Sequence, residues 1–299
     1  MARFSMTNDS LPTLSCGPLL LVLAPSLGGS IASLTYVTED KREIPVLHGS
    51  EGFPSHVLMA GSFPLVPFAN RVRGGRFSFR GREVTLAPNL AGEASPLHGQ
   101  VWVQAWEVVS VGVDEAELRF RHAAGEWPWD YEARQLFRVE EGAVSVTLSC
   151  RNVGGEPMPC GLGHHPYFPC DADTRIDAEV EHAWTIDDAT LPLEKVWAEG
   201  RYALRERLIC GQGLDNGFWG WDGGFTIAAP GLRIRVTSPE ARFLHVYSPG
   251  EGERFAAEPV THANAALNEA EGSWPDLGLR VLEPGEEMAV TMRIEVEAQ

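Results

Sequence analysis

The sequence predicts a mostly β protein, a large antiparallel β-sandwich. Three observations carry that expectation: runs in which apolar and polar side chains alternate with a period of two, punctuation of those runs by 31 glycines and 21 prolines, and the lack of any long segment with helical periodicity. In chain order, "GPLLLVLAP" (17–25) reads as a buried first strand. Its apolar run falls short of the roughly 20 residues that a membrane-spanning helix needs. With Arg3 the only cation before it, it does not read as a signal peptide. Alternation then marks strands at "SIASLTYV" (30–37), "AELRFRHA" (116–123), "QLFRVE" (135–140), "AVSVTLSCRNV" (143–153), "LRIRVTS" (232–238) and "AVTMRIEVEA" (289–298). The charged stretch "EKVWAEGRYALRERL" (194–208) reads as a short helix or an irregular connection.

No repeat, low-complexity tract or linker divides the 299 residues, so the expectation is one domain over 1–299, with residues 1–12 a candidate for disorder. A chain of this length buries roughly 75% of the surface its unfolded form exposes, and 44% hydrophobic with 22% charged residues is ordinary globular composition. The net charge of −17 repels phosphate backbones and anionic membrane surfaces, so neither nucleic acid nor membrane is an expected partner. A neutral small molecule fits better. Cys16, Cys150, Cys160, Cys170 and Cys210 are odd in number, irregularly spaced and without a C-x-x-C pair. They read as reduced thiols in a cytoplasmic protein.

Polar residues in apolar company mark the candidate site. "FANRVRGGRFSFRG" (68–81) sets Asn70 and Arg71 ahead of Gly74, Gly75 and an alternating strand, where a loop enters a sheet; a lone arginine there more commonly caps a turn or makes a surface ion pair. "SPLHGQVW" (95–102) puts His98 in a turn at a strand end, with Trp102 nearby; a satisfied buried histidine is the equal alternative. In "GLGHHPYF" (161–168), successive side chains of a strand face opposite ways, which separates His164 from His165 and Tyr167 from Phe168. "GLDNGFWGWDGG" (213–224) crowds Asp215 against Phe218, Trp219 and Trp221, an arrangement suited to a sugar whose C–H face stacks on rings while its hydroxyls donate to the acid. An Asx-turn with core tryptophans is the plain alternative. "FAAEPVTHANAALN" (255–268) places Glu258 after a small apolar run, near a strand end and partly solvated, a position that raises a carboxyl pKa. The sequence has no H-E-x-x-H pair, no G-x-S-x-G elbow, no P-loop and no dinucleotide fingerprint. No metal or cofactor is therefore expected, and zinc held by His98, His165 and Glu258 is the one metal alternative.

In the order "NRV..G.F...G", "LHG", "HPYF", "LDNGF", "EPVTH" with Asn268 downstream, and "LEPGE", the chain resembles the aldose 1-epimerases, or galactose mutarotases, over nearly its whole length. In detail it is most similar to the bacterial general sugar-epimerase-like branch. The resemblance implies a galactose mutarotase-like sandwich and a cofactor-free interconversion of the anomers of a free aldose such as galactose or glucose. It makes Glu258 the general base on the anomeric hydroxyl, His165 the general acid at the ring oxygen, and His98 a hydrogen-bond donor near that oxygen. Arg71 and Asp215 become substrate-positioning groups, with Asn70, Trp102 and Tyr167 as further binding residues. Strand alternation assigns His164 to supporting the fold or to backing the site residues; better-known members often carry Asn there and at the position of Pro169, a departure that bears on substrate identity. Three alternatives stand beside this reading: a hexose-phosphate epimerase using Arg71, Arg73 and Arg76, a glycoside hydrolase with Asp215 and Glu258 as carboxylates roughly 5–9.5 Å apart, and a non-catalytic carbohydrate-binding sandwich. The partner implied is a monosaccharide, and the sequence carries no signature of oligomeric state.

Overall fold

Successive side chains of a strand point to opposite faces, so a chain built of alternating runs is solved by stacking sheets. The computed structural model, which describes residues 11–49 and 53–299, shows two large antiparallel sheets. The first is ordered Thr13–Cys16, Leu19–Ala24, Ser30–Val37, Ser62–Leu65, Gly163–Pro169, Arg254–Val260, Phe243–Ser248, Leu214–Trp219, His182–Ile186 and Pro192–Trp197, with Glu43–Leu47 branching from Ser30–Val37. The second runs Arg207–Leu208, Arg175–Ala178, Gly224–Ala229, Leu232–Thr237, Glu287–Ala298, Ala143–Asn152, Tyr131–Glu140, Glu115–His122 and Glu107–Val111. Each long strand anticipated from alternation coincides with one of these to within one residue at its C-terminal end.

The inner faces of the two sheets make the main core. From Gly163–Pro169, His164 and Phe168 point between the sheets: His164 Nε2 lies 3.4 Å from the Val290 carbonyl oxygen on the opposing sheet, and Phe168 meets Phe225 edge-on at 6.0 Å. Leu214, Phe218, Leu244, Val246, Phe255 and Ala257 complete this side. Burying each of the larger side chains contributes roughly 1.5–3 kcal/mol. The outer face of the sheet's central strands carries a second, smaller cluster of Phe63, Leu65, Tyr167, Phe243, Ala256 and Val260, joined by Trp102 from the 3₁₀ turn Val101–Val103. Loop residues Val57, Ala69, Leu97 and Ala263 cover it. The central strands are thus buried on both sides, and the outer side holds the polar side chains described below.

Three expectations change. The run at 17–25 supplies the second strand, Leu19–Ala24, because Thr13–Cys16 pairs outside it as the sheet edge. Of residues 1–12, residues 1–10 lie outside the described residues, whereas the Pro12 carbonyl accepts a hydrogen bond from the Leu23 N–H at 2.8 Å. The stretch 194–208 splits into the end of strand Pro192–Trp197, a 3₁₀ turn at Gly200–Tyr202 and the short strand Arg207–Leu208.

The reading of all five cysteines as free thiols is overturned. Cys170 and Cys210 form a disulfide with Cα atoms 5.6 Å apart; Cys16, Cys150 and Cys160 are free. Their 40-residue separation concealed the pair, which forms because the chain leaving Gly163–Pro169 ends beside the turn that precedes Leu214–Trp219. Such a bond is a feature of oxidising rather than reducing compartments. Thiol titration of the denatured, unreduced protein is therefore expected to find the three free cysteines, and prior reduction to raise the count to all five. Five reactive thiols without reduction would remove the bridge.

Candidate active site

Strand alternation and one loop pairing assemble the site. Glu258 and Arg254 share the outer face of Arg254–Val260, and His165 and Tyr167 that of the neighbouring strand, in the register that pairs Tyr167 with Ala256. His245 lies directly across from Glu258 in the other neighbour, and Asp215 follows one strand further, paired with Tyr247. The loops close over these strands. His98 and Asn70 both adopt left-handed backbone conformations, with φ of 57° and 59°, and they hold each other: the His98 N–H donates to the Asn70 carbonyl at 2.9 Å, and the Asn70 N–H donates to His98 Nδ1 at 3.0 Å. Gly99 anchors this pair, since at φ 70° a Cβ there would stand 2.0 Å from the Val66 carbonyl oxygen. The remaining motif residues staple the same loop. Asn264 Oδ1 accepts from the Arg71 N–H at 3.0 Å, His262 Nε2 from the Ala69 N–H at 2.8 Å, and Asn268 Oδ1 from the Arg73 N–H at 2.7 Å. Gly161 is glycine because His262 packs where its Cβ would be, 1.9 Å away.

These side chains surround a cavity of about 220 Å³. Below the roughly 300–1,000 Å³ of pockets for larger ligands, it suits a single small ring. All eight residues anticipated from sequence, Glu258, His165, His98, Arg71, Asp215, Asn70, Trp102 and Tyr167, line it. His165 Nε2 stands 3.3 Å from Glu258 Oε1, and one ligand-type atom of each of His98, His165 and Glu258 lies within 4.8 Å of the others. His165 is stacked on Phe63, centroids 4.4 Å apart, and meets Tyr167 at 4.7 Å and His98 edge-on at 5.3 Å. Among the described residues, His165 Nδ1 and Glu258 Oε2 are buried without a hydrogen-bond partner, two polar atoms that a ligand would satisfy.

Burial sets the charges. Glu258, 2% exposed, has its carboxyl pushed up to about 7 by loss of water, against the opposing pull of His245. Burial brings His165 down to about 3 and His98 well below its usual value, so both are neutral near pH 7. Burial also disfavours the charged form of His245, but its hydrogen bond to Asp215, 2.7 Å long, and the Glu258 carboxylate raise it overall. Asp215 is held below the usual carboxylate range: burial works against its charge, and His245 and Arg71 overcome it. Arg71 makes a two-bond contact to Glu93, at 3.2 and 3.0 Å, and lies 3.8 Å from Asp215.

Several sequence readings need correction. Glu258 sits inside its strand, fully desolvated, rather than partly solvated at an end. His98 is held in a loop by isolated bridges, Val66 to Gly99 and Arg71 to Leu97, instead of ending a strand. Asp215 lies on a strand and not in an Asx-turn; Phe218 points to the core, while Trp219 packs on His182 at 5.4 Å. The rings at the cavity are Trp102, Tyr167 and Tyr247. The early arginines disperse: Arg73 points to the Pro192 carbonyl and Asp187, and Arg76 is exposed. Sequence reasoning missed Glu93, His245, Tyr247 and Arg254, all lining the cavity. A metal would meet His98 in the wrong protonation state, because accepting the Asn70 N–H at Nδ1 leaves the proton on Nε2. His98 therefore offers the cavity a donor.

The chain is similar to several known proteins. The chain is 36% identical over 257 residues, 80% of its length and 84% of the other's, to the uncharacterized protein YphB of Escherichia coli K12. The crystal structure of an Escherichia coli K12 protein solved as a candidate aldose 1-epimerase superposes with a TM-score of 0.87 at 33% identity, covering 97% of this chain and 99% of that one. A galactose mutarotase-like protein of Clostridium acetobutylicum shares the fold at 17% identity, with a TM-score of 0.84 and coverage of 96% and 95%. The sequence profile described as Aldose 1-epimerase matches residues 13–295, and the chain belongs to that family.

Proposed function

We propose that this protein is a mutarotase, interconverting the α and β anomers of an aldose by opening and reclosing the ring. One observation carries the reading most: Glu258 and His165, a carboxyl held near neutrality and an imidazole, face each other at 3.3 Å in one cavity, each with one unpartnered polar atom. Ring opening needs a base on the anomeric hydroxyl and an acid on the ring oxygen, and nothing else. Glu258 takes the hydroxyl proton while His165 gives one to the ring oxygen; the C1–O5 bond breaks and C1 becomes an aldehyde. After rotation about C1–C2, His165 takes the proton back and Glu258 returns its own to the new hydroxyl. The pair carries one proton throughout, so the cycle consumes nothing; in the free site that proton rests on Glu258, and it crosses the 3.3 Å contact to His165 before the sugar reacts. His98, with its proton fixed on Nε2, donates toward the ring oxygen as charge builds there. Arg71, Asn70 and Asp215 hold the hydroxyls, and the ring lies against Trp102 and Tyr167.

Polarimetry tests this directly. Freshly dissolved α-galactose or α-glucose is expected to reach rotational equilibrium faster with the protein, and Glu258→Gln and His165→Asn each to lower kcat/KM by roughly 10²–10⁴-fold with an unchanged circular dichroism spectrum. Wild-type turnover in either variant would remove that residue's role. No acceleration with any of a panel of aldoses would favour a carbohydrate-binding role.

The shared proton fixes the pH dependence. The one-proton state of the pair exists between about 3, where His165 titrates, and about 7, where Glu258 does. The expected kcat/KM is flat between about 3 and about 7 and falls about tenfold per pH unit above that range. A rate that rises through pH 7 would instead assign the ring oxygen to a neutral donor. Stability follows the same group with its own sign. A carboxyl raised in the folded state withdraws stability as pH climbs from its unfolded to its folded pKa. Glu258→Gln should therefore raise Tm more at pH 8 than at pH 5.

A further inference from the structure

We propose that Arg254 makes this cavity selective for sugars bearing an anionic group, a carboxylate or a phosphate, on the part of the ring that lies against Tyr167. The inference deepens the mutarotase reading by naming its substrate class, and it rests on that reading only for the ligand being a sugar.

The charges that line the cavity leave Arg254 over. Arg71 is matched by Glu93 and Asp215, and His245 by Asp215 at 2.7 Å. Arg254 donates from Nη1 to the Leu58 carbonyl at 2.7 Å and lies over the Tyr167 ring, 4.4 Å from its centroid. Among the described residues, no carboxylate reaches it within ion-pair distance. A guanidinium carries five N–H donors in a planar fork. A single backbone carbonyl and an aromatic face fix its plane yet leave most of those donors free, an arrangement pre-organised for two-pronged contact with a carboxylate or phosphate.

Its position fits a substituent of a sugar held for the reaction. Phe63, His165 and Tyr167 form a series of rings with centroids 4.4 and 4.7 Å apart, and the guanidinium continues it beyond Tyr167. Arg254 thus stands one ring past the imidazole that faces Glu258. Arg254 and Glu258 share one strand face with only Ala256 between them, and both line the cavity. The net charge of −17 does not oppose this at contact range, because the field of distant surface charges is screened over about 8 Å at physiological ionic strength.

Calorimetric binding of galactose, galacturonate and galactose 6-phosphate to wild type, Arg254→Gln and Arg254→Lys decides the matter. The expected result is that wild type binds at least one anionic sugar roughly tenfold or more tightly than galactose, the scale of a charge-assisted hydrogen bond. Arg254→Gln should collapse that ratio, and Arg254→Lys should restore part of it. The galacturonate and phosphate arms show which group the fork reads. A wild type without preference overturns the proposal, as does an Arg254→Gln variant with an unchanged ratio; if that variant fails to fold, the wild-type ratio and Arg254→Lys still decide. Because affinity is read without turnover, selective binding without faster mutarotation would sink the proposed reaction and leave the role of Arg254 standing. Turnover of neutral and anionic sugars alike, with equal affinities, would do the reverse.

Discussion

A carboxyl group buried in the middle of a sheet is the constraint on which the rest of this site depends. Raising Glu258 from 4.5 to about 7 means that its ionised form is disfavoured in the fold by on the order of 3 kcal/mol. That cost is the source of its usefulness, since a desolvated carboxylate near neutrality is a far better base than a hydrated one. It also dictates the neighbours. His245 stands across from Glu258, and where burial alone would disfavour its charged form, the hydrogen bond to Asp215 raises its pKa; Asp215 in turn leans on Arg71, and Arg71 on Glu93. The result is a line of alternating charge running from the inside of the sheet to the rim of the cavity. Each member is tolerable only because the next is present.

The second constraint is geometric. Outward from the central strands, alternation presents His165, Tyr167, Glu258, His245 and Asp215; inward, it presents His164, Phe168, Leu244 and Phe218. Two adjacent histidines can therefore do unrelated work, one beside the carboxyl and one against the opposing sheet. Several residues that mark the family sequence turn out to hold loops. His262, Asn264 and Asn268 accept backbone N–H groups from the segment that carries Asn70, Arg71 and Arg73. The residues that face the cavity are positioned by them at one remove.

This division explains what the sequence made legible. The longest strands with one buried and one wetter face showed themselves, as at Ala143–Asn152 and Glu287–Ala298. The central strands, buried on both faces, lost the pattern: Gly163–Pro169 and Arg254–Val260 are covered almost throughout, so Glu258 looked like a residue near a strand end. The eight anticipated site residues were legible through family motifs, whose spacing says nothing of which faces meet. His245 and Tyr247 did leave a trace, being polar-tipped residues two apart in "LHVYS", and Arg254 stands at the even spacing from Glu258 that puts both on one face. Neither trace is read without knowing that these two strands pair. The Cys170–Cys210 bridge was hidden for the same reason, as a contact made by topology across 40 residues.

The reaction proposed here asks two opposite things of the cavity. C1 must be free to rotate once the ring opens, while the remaining carbons must stay fixed so that the ring recloses on either face. The structure separates these demands in space. Around Glu258, His165 and His98 the contacts are to single atoms of imidazoles and a carboxyl, which can exchange protons without moving. Around Arg71, Asn70 and Asp215 they are reinforced pairs: Arg71 is bonded to both Glu93 and Asn70, and Asp215 to His245. The walls that hold a sugar are locked by their own hydrogen bonds before it arrives, so little side-chain entropy is lost on binding. The atoms left unpartnered, His165 Nδ1 and Glu258 Oε2, are on the reacting pair, and a bound sugar would relieve there the strain that burial imposes.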